Sequence, residues 1–526
     1  MNILIADALS DGWQDALTGD GIQVNANPGL SSDELLSVIG KYDGLIVRSA
    51  TQVTRDLISA GTSLRAIGRA GAGVDNIDID AATERGIVVL NAPGGNTIST
   101  AEHTVAMMLA LSRNIPQATA SIRSGKWDRR SYTGVELEGK VLGIIGVGRV
   151  GLQVAHRARA FGMRVIAFDP VFSSEMAEQN QIQLASNDEI FAASDYITLH
   201  APLIKETRHV IDDDAIARCK DGVRILNCAR GGLVEDAALL RGIESGKVAG
   251  AALDVFEVEP PPPDYPLAMR EEVICTPHLG ASTHEAQEKV ARQIAVSVLD
   301  ALKGNPVQGA INLPAVDPEM FDAIQPYMVL GDRVGALIAQ LSDGSLKKMT
   351  IDYQGEILEH ATSPMTAAVL KGAVSGLSNE PVTYVNAPIF ARKRGVQIEE
   401  RRSTNQPDYV NLITVQAETS TETTTVTATV FGKRDPRLIR IDAYEVKAKL
   451  EGHLLICCNK DEPGVVGWMG TLLAKQNINI ADMALGRESR GGDAIMVFNI
   501  DEPVTSEVLE KIESDPLVLW AKQVEL

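Results

Sequence analysis

The sequence predicts an α/β chain of several domains: a doubly wound Rossmann-type sheet in the middle and a second parallel sheet before it. An α+β segment and a ferredoxin-like tail follow. Three observations predict this. Short apolar runs alternate with helical patterns over residues 1 to about 98 and 140 to about 277, the rhythm of parallel sheets. The loop GVGRVG, Gly146 to Gly151, follows an apolar run and opens a helical stretch, as a dinucleotide-binding turn does. From Gly452 the pattern reads βαββαβ. At 526 residues the chain is too long for one ordinary domain.

In the first segment NILIAD, GLIVRSA, LRAIGRAG and GIVVLNAP read as strands closed by Gly, Asp or Pro. The stretch TISTAEHTVAMMLALSRNIPQATASIRSG has helical spacing. Thr100 can cap its start, and Pro116 should end or kink it. Six strands follow, VLGIIG, RVIAFD, YITLHAP, VRILNCAR, GAALDVF and VICTPH, enough for a doubly wound sheet. The amphipathic helix STHEAQEKVARQIAVSVLDALKGN ends at Gly304. Near Asn312-Leu313-Pro314 the pattern changes to helical pieces and polar strands such as KKMTIDYQGE. ETSTETTTVTATVFG reads as a strand rather than a Thr-rich linker, because β-branched residues suit a pleated surface. The tail runs HLLICCN, a helix over VVGWMGTLLAKQ, INIADMALGR, AIMVFNI, a helix over SEVLEKI, and LVLWAKQVEL.

A net charge of −20 argues against nucleic acid or an anionic membrane as main partner, and requires local arginines for any anionic substrate. Five cysteines without a CxxC spacing suggest neither a disulfide framework nor a metal site. The start carries acids early and no long apolar run, so no signal peptide is expected, and no stretch is apolar enough to span a bilayer. The chain is read as soluble and cytoplasmic.

In the glycine loop, Gly146, Gly148 and Gly151 permit a tight turn and close approach to a pyrophosphate, and the following helix offers free N–H groups. The next strand, RVIAF, ends in Asp169, placed to accept hydrogen bonds from ribose hydroxyls and to repel a 2′-phosphate. NAD rather than NADP follows. GRAGAGVDN, Gly68 to Asn76, is glycine-rich but opens no long helix; it reads as a loop whose backbone approaches a ligand. His103 lies on an apolar helix and reads as a core histidine. His200 and His278 follow apolar strands, where such sheets bind ligands. His278 is a candidate acid/base by position, Glu259 is a candidate or a solvated loop acid, and Arg230 is placed to grip a carboxylate.

Taken in this order, Arg230, Glu259 and His278 resemble the catalytic set of the D-isomer-specific 2-hydroxyacid dehydrogenase family. IVRSATQVT, GRAGAGVDNID, NCARGGLVED, ALDVFEVEP and PHLGAST carry the likeness. The last segment, with NKDEPGVV and NINIADM, resembles an ACT domain, and residues 315–450 resemble the intervening domain of the family's long form. The resemblance implies a Rossmann NAD domain, 99–285, inserted in a flavodoxin-like substrate domain made of 1–98 and 286–305. An α+β intervening domain, 315–450, and an ACT domain, 452–526, complete the chain. It explains why nearly 150 residues precede the glycine loop.

The implied reaction is NAD-dependent oxidation of 3-phospho-D-glycerate to 3-phosphooxypyruvate, the first step of L-serine biosynthesis. His278 is implied as acid/base, Glu259 as its partner and Arg230 as the substrate grip. Further NAD contacts are implied at Arg149, Val150, Ala201, Cys228 and Ala229, at Asp254, Gly280 and Ala281, and at Ala72 in the first domain. Arg230 and His278 belong to the NAD site as well. Ala201 stands where the family often has threonine, which removes one hydroxyl. Arg48, Arg69 and Asn96 match substrate positions. Arg129 either reaches into a partner's site or is a solvated surface charge. L-Serine is the implied effector, at Asn459, Asp461, Asn479 and Ile480. The basic cluster Gly432 to Arg440 is an anion site or a solvated turn. A homodimer or homotetramer is implied. The alternatives are a dehydrogenase for another 2-hydroxy or 2-oxo acid and a non-enzymatic NAD sensor.

Overall fold

The computed structural model describes the whole chain except residues 20, 315–317, 378–380 and 404–408, and the side chains of 318 and 319. The expected start of the intervening domain at 315 lies outside the described residues.

The first sheet holds β1 (Asn2–Ile5), β2 (Gln23–Ala26), β3 (Gly44–Val47), β4 (Ala66–Arg69) and β5 (Val88–Leu90). All pair in parallel in the order β2-β1-β3-β4-β5, the flavodoxin-like sequence. The sequence reading missed β2, a mostly exposed edge strand with no apolar run to reveal it. The helix His284–Lys303 returns to this sheet, and its Val290, Ile294 and Val298 share a core with Ile3, Ile46 and Leu90. Gly68 permits the contact: a Cβ there would lie 2.8 Å from Ile294.

The helix Thr97–Arg113 connects this sheet to the next and buries Met107, Met108 and Leu111. It starts earlier than expected, with Asn96 at the cap. Thr100 lies one turn inside and donates instead to the Gly280 carbonyl, 3.1 Å away. The helix stops at Asn114, which turns left-handed (φ 54°), and a new helix, Ile115–Arg123, begins with Pro116 in its first turn. Proline fits there because that N–H needs no partner.

The second sheet comprises β6 (Val141–Ile145), β7 (Arg164–Phe168), β8 (Gln183–Leu184), β9 (Tyr196–Leu199), β10 (Val223–Asn227), β11 (Val248–Leu253) and β12 (Val273–Cys275). Its order is β12-β11-β10-β9-β6-β7-β8, all parallel, with the chain reversing direction across the sheet between β6 and β9. The two-residue edge strand β8 adds to the six expected.

The third sheet is mixed and runs β14-β13-β15-β16-β17-β18. Its strands are β13 (Leu346–Gly355), β14 (Gln397–Ser403), β15 (Asn411–Thr419), β16 (Thr423–Phe431), β17 (Asp435–Ile441) and β18 (Tyr444–Lys449). The Thr-rich stretch is a hairpin: the end of β15, a turn, and β16. The basic cluster forms the next turn and β17, where Arg437 pairs with Asp435 at 2.8 Å. The helices Pro318–Leu341 and Ser363–Ser375 cover this sheet.

The fourth sheet is antiparallel, in the order β20-β21-β19-β22. It is built from β19 (His453–Lys460), β20 (Ile480–Arg487), β21 (Asp493–Ile500) and β22 (Val518–Glu525). Its helices, Val465–Lys475 and Ser506–Glu513, cover one face. The other face joins the third sheet's core: Leu454, Ile456, Ile495 and Val497 pack in one cluster with Leu330, Val334 and Val426. Within HLLICCN the run LLICC, Leu454 to Cys458, is continuously apolar because β19 is buried on both faces. Among the described residues, no helix is long and apolar enough to cross a membrane.

Candidate active site

The chemistry collects where parallel strands end. Arg48 follows β3, Arg69 ends β4, Arg230 lies just past β10, Asp254 follows β11 and His278 lies just past β12. The two sheets face each other across a cavity of about 300 Å³. Arg48, Arg69, Ala72 and Asn96 line it from one side, and Arg230, Glu259, His278 and Ala281 from the other. Another cavity, about 740 Å³, lies between the first sheet and the third, and no histidine or carboxylate is among its described lining residues.

His278 Nδ1 lies 2.7 Å from Glu259 Oε2, and the other Glu259 oxygen accepts the Phe256 N–H at 3.0 Å. Burial raises the Glu259 carboxyl, but hydrogen bonds from His278 and Phe256 and the His278 charge outweigh it, leaving it below its ordinary value. The backbone of His278 is left-handed, with φ 53°.

Three arginines share the cavity. Burial lowers the pKa of Arg69, and Arg230 and Arg48 nearby lower it further, against the opposing charge of Asp75. The Arg69 Nε is buried with no partner among the described residues. Arg230 donates to the Ala229 carbonyl at 2.7 Å, and its Nε lies 3.4 Å from Asp75. Gly71 and Gly73 leave room for these guanidinium groups; a Cβ on either would strike one. Arg48 is fixed through its backbone, where Asp7 accepts its N–H at 2.6 Å and Asn76 donates to its carbonyl at 2.9 Å. Such a set suits a small acid with more than one negative charge.

Asp7 and Asp75 escaped the sequence reading. Asp7 closes NILIAD, the same strand-end position as Arg48 and Arg69, and that rule would have found it. Asp75 lay in a loop read only for its glycines.

The glycine loop joins β6 to the helix Arg149–Ala160 at the reversal point. Gly146 has φ 96°, and a Cβ there would lie 2.7 Å from the His200 backbone. A Cβ on Gly151 would strike the Gly146 carbonyl, while nothing lies within 4 Å of one on Gly148, so that side is open to a ligand. Among the described residues no side chain caps the helix, which leaves its first N–H groups available to a pyrophosphate. Asp169, just past β7, accepts the Val147 N–H at 2.8 Å and so is tied to the loop. These features fit NAD.

The other expected cofactor residues differ in placement. Ala201 and Ala229 follow β9 and β10, Val150 packs partly into the core and Arg149 lies against Gly94. Cys228, Asp254 and Gly280 are buried beneath the site rather than open to it. Burial pushes the Cys228 thiol up to about 12. Asp254 spends its carboxylate on the turn holding His278, accepting the N–H groups of Leu279 at 2.7 Å and Gly280 at 2.8 Å. His200 lies partly buried behind the glycine loop, where desolvation holds its pKa down to about 4, and it is not among the residues lining the cavity. Arg129 is exposed and away from the cavity.

The four expected effector residues are not brought together in one chain. Asp461 lies past the end of β19, accepting from Arg487 and the Gly491 N–H, each at 3.0 Å. Asn459, nearly fully buried, has an Oδ1 without a partner among the described residues. Asn479 donates to Asp501 at 2.9 Å, and Ile480 pairs with Ile500, at the far end of the sheet. The ends of β19 are about 23 Å apart at the usual rise per residue.

Comparison with known proteins matches residues 105–280 to the NAD-binding domain of D-isomer specific 2-hydroxyacid dehydrogenases. Residues 323–442 match the D-3-phosphoglycerate dehydrogenase intervening domain, and 453–516 the ACT domain. The chain is 43% identical to D-3-phosphoglycerate dehydrogenase of Archaeoglobus fulgidus over 100% of both chains. It is 44% identical to that of Bacillus subtilis, over 100% of this chain and 99% of the other. Among solved structures, a D-lactate dehydrogenase from Aquifex aeolicus, complexed with NAD and lactic acid, is 30% identical with a TM-score of 0.52. It covers 58% of this chain and 96% of its own.

Proposed function

The chain belongs to the D-3-phosphoglycerate dehydrogenases of the D-isomer-specific 2-hydroxyacid dehydrogenase family, and from that premise we propose how its residues divide the work. It is an NAD-dependent dehydrogenase with phosphoglycerate dehydrogenase activity, placed in serine biosynthesis and regulated through its ACT domain. The observation that carries the division is the 2.7 Å pair of His278 and Glu259 in a cavity shared with three arginines.

His278 is the acid/base. Glu259 takes the Nδ1–H, which fixes the tautomer and leaves Nε2 to accept the proton of the C2 hydroxyl. The Glu259 charge then stabilises the imidazolium. NAD, when bound, supplies the acceptor for the hydride leaving C2. Arg230 holds the substrate carboxylate, for which Asp75 must release it, and Arg69 and Arg48 hold the phosphate, with Asn96 beside them. The glycine loop and Arg149 hold the pyrophosphate end of the cofactor, and Asp169 takes the ribose hydroxyls. Ala72, Val150, Ala201, Ala229 and Ala281 supply the remaining contacts to it, while Cys228, Asp254 and Gly280 support these from below.

L-Serine is the effector in this reading. Asp461 holds its amino group, beside Asn459, and the N–H groups near Pro463-Gly464 hold its carboxylate. The place of β20 at the end of its sheet's strand order supports assembly of the site from two chains: antiparallel pairing of two β20 strands would carry Asn479 and Ile480 of one to Asp461 of the other. A homodimer or homotetramer follows, and Arg129 belongs to the partner's cavity. A cytoplasmic location completes the reading, supported by five free cysteines.

An initial-rate assay with NAD and 3-phosphoglycerate, repeated with L-serine, tests it. NADH should form, His278→Ala should abolish its formation and serine should lower the rate. Turnover of an unphosphorylated 2-hydroxy acid with none of 3-phosphoglycerate would reject the substrate.

A further inference from the structure

The left-handed turn that carries His278 is held from below by one carboxylate. Asp254 accepts the His278 N–H on its backbone oxygen at 2.9 Å, and the Leu279 and Gly280 N–H groups on its side chain. It also accepts the Thr276 hydroxyl at 2.6 Å. Asp254 has no exposed surface. A buried carboxylate needs a charged or strongly donating partner to stay ionised. Among the described residues, the cation-forming side chain placed on it is His103, whose Nε2 lies 3.1 Å from Asp254 Oδ1 and 3.2 Å from the Thr276 hydroxyl. One helical turn earlier, Thr100 donates to the Gly280 carbonyl at 3.1 Å. Both belong to the helix Thr97–Arg113, whose N-cap, Asn96, lines the cavity.

A non-glycine residue stays left-handed only where its surroundings over-determine it. The N–H groups of His278, Leu279 and Gly280 all reach Asp254, with the Thr276 carbonyl sharing the first, and Asp254 in turn rests on His103. We propose that His103 is a positioning residue for the dehydrogenase reaction: by completing the shell of Asp254, it and Thr100 lock the turn that aims the His278 ring. The proposal rests on His278 being the acid/base.

The test compares His103→Leu, which removes the donor, with His103→Gln, whose amide nitrogen can stand where Nε2 does. His103→Leu should lower kcat about 10- to 100-fold, with both KM values changed less than about twofold, since misaimed groups cost rate before affinity. His103→Gln should recover most of the rate. In the NAD-free protein, hydrogen exchange in the 276–282 peptide should speed up in His103→Leu and not in His103→Gln. Wild-type kcat in His103→Leu, no recovery in His103→Gln, or unchanged exchange would each overturn the proposal. Should His103→Leu fail to fold, Thr100→Val carries the test: a kcat-selective loss supports the lock and a wild-type kcat overturns it. His278→Ala separates the two readings. If it keeps the wild-type rate, the acid/base assignment fails and takes this proposal with it; if it is inert while His103→Leu is unimpaired, this proposal alone fails.

Discussion

Asp169 shows how one side chain can do two jobs at a strand end. Its carboxylate accepts the Val147 N–H of the glycine loop and that of Val171, so its charge is fixed at the end of β7. A fixed negative charge there repels a 2′-phosphate and favours two ribose hydroxyls. Asp169→Asn keeps an oxygen for the Val147 N–H but removes the charge. It should lower the NAD-over-NADP ratio of kcat/KM by about tenfold or more, roughly 1.4 kcal/mol, measured by initial rates with both cofactors. Asp169, Arg230 and His278 were legible because each stands just past an apolar run. The hold of Asp254 on Leu279 and of His103 on Asp254 was not. Those partners are 25 and 151 residues apart in the chain, and no local pattern records which distant groups meet.

Elements were legible in proportion to their burial. Strands with apolar runs announced themselves, whereas β2 and β8 are polar edges without a periodic signal. The start of the Thr97–Arg113 helix was misread because Thr100 looks like a cap and is in fact claimed by Gly280. Between elements, the short helix Ile79–Glu84 joins the catalytic half to the third sheet's domain. Glu84 binds Arg55 and Lys393, each at 2.7 Å, and Thr383 donates to the Gly86 carbonyl at 3.2 Å. Hydrogen bonds from Lys393 and Arg55 hold the Glu84 carboxyl down to about 2 from 4.5. A carboxyl with a lower pKa folded than unfolded adds stability above its unfolded value, and that stability is lost as pH falls toward the folded one. Glu84→Gln should therefore melt below wild type at neutral pH. The difference should narrow between about pH 5 and pH 3, as thermal melts across pH would record.

At the scale of the molecule, the last two domains share one core. Ile456 of β19 packs in the cluster that holds Leu330, Val334 and Val426, and Gln340 makes two hydrogen bonds with the backbone of Glu525. A regulatory tail built this way moves with its neighbour rather than on a tether. Ile456→Ala should cost about 2–5 kcal/mol and lower the melting of both domains together, seen by calorimetry as one shifted transition. Two separate transitions, only one of them shifted, would contradict the shared core.

Periodicity, glycine spacing and the residues after each strand were enough to define two parallel sheets, a cofactor loop and a ferredoxin-like end, while the pairing of Glu259 with His278 was implied only by the family resemblance. Those features are local, because backbone geometry repeats every two or 3.6 residues and strand ends expose the next side chain. Folding alone decided that three arginines and Asp75 share one cavity, that Asp254 lies under the turn rather than in the cleft, and that the tail's open face is covered. Each of these depends on which surfaces meet, and hydrophobic burial rewards contact without naming the partner in the chain's own order.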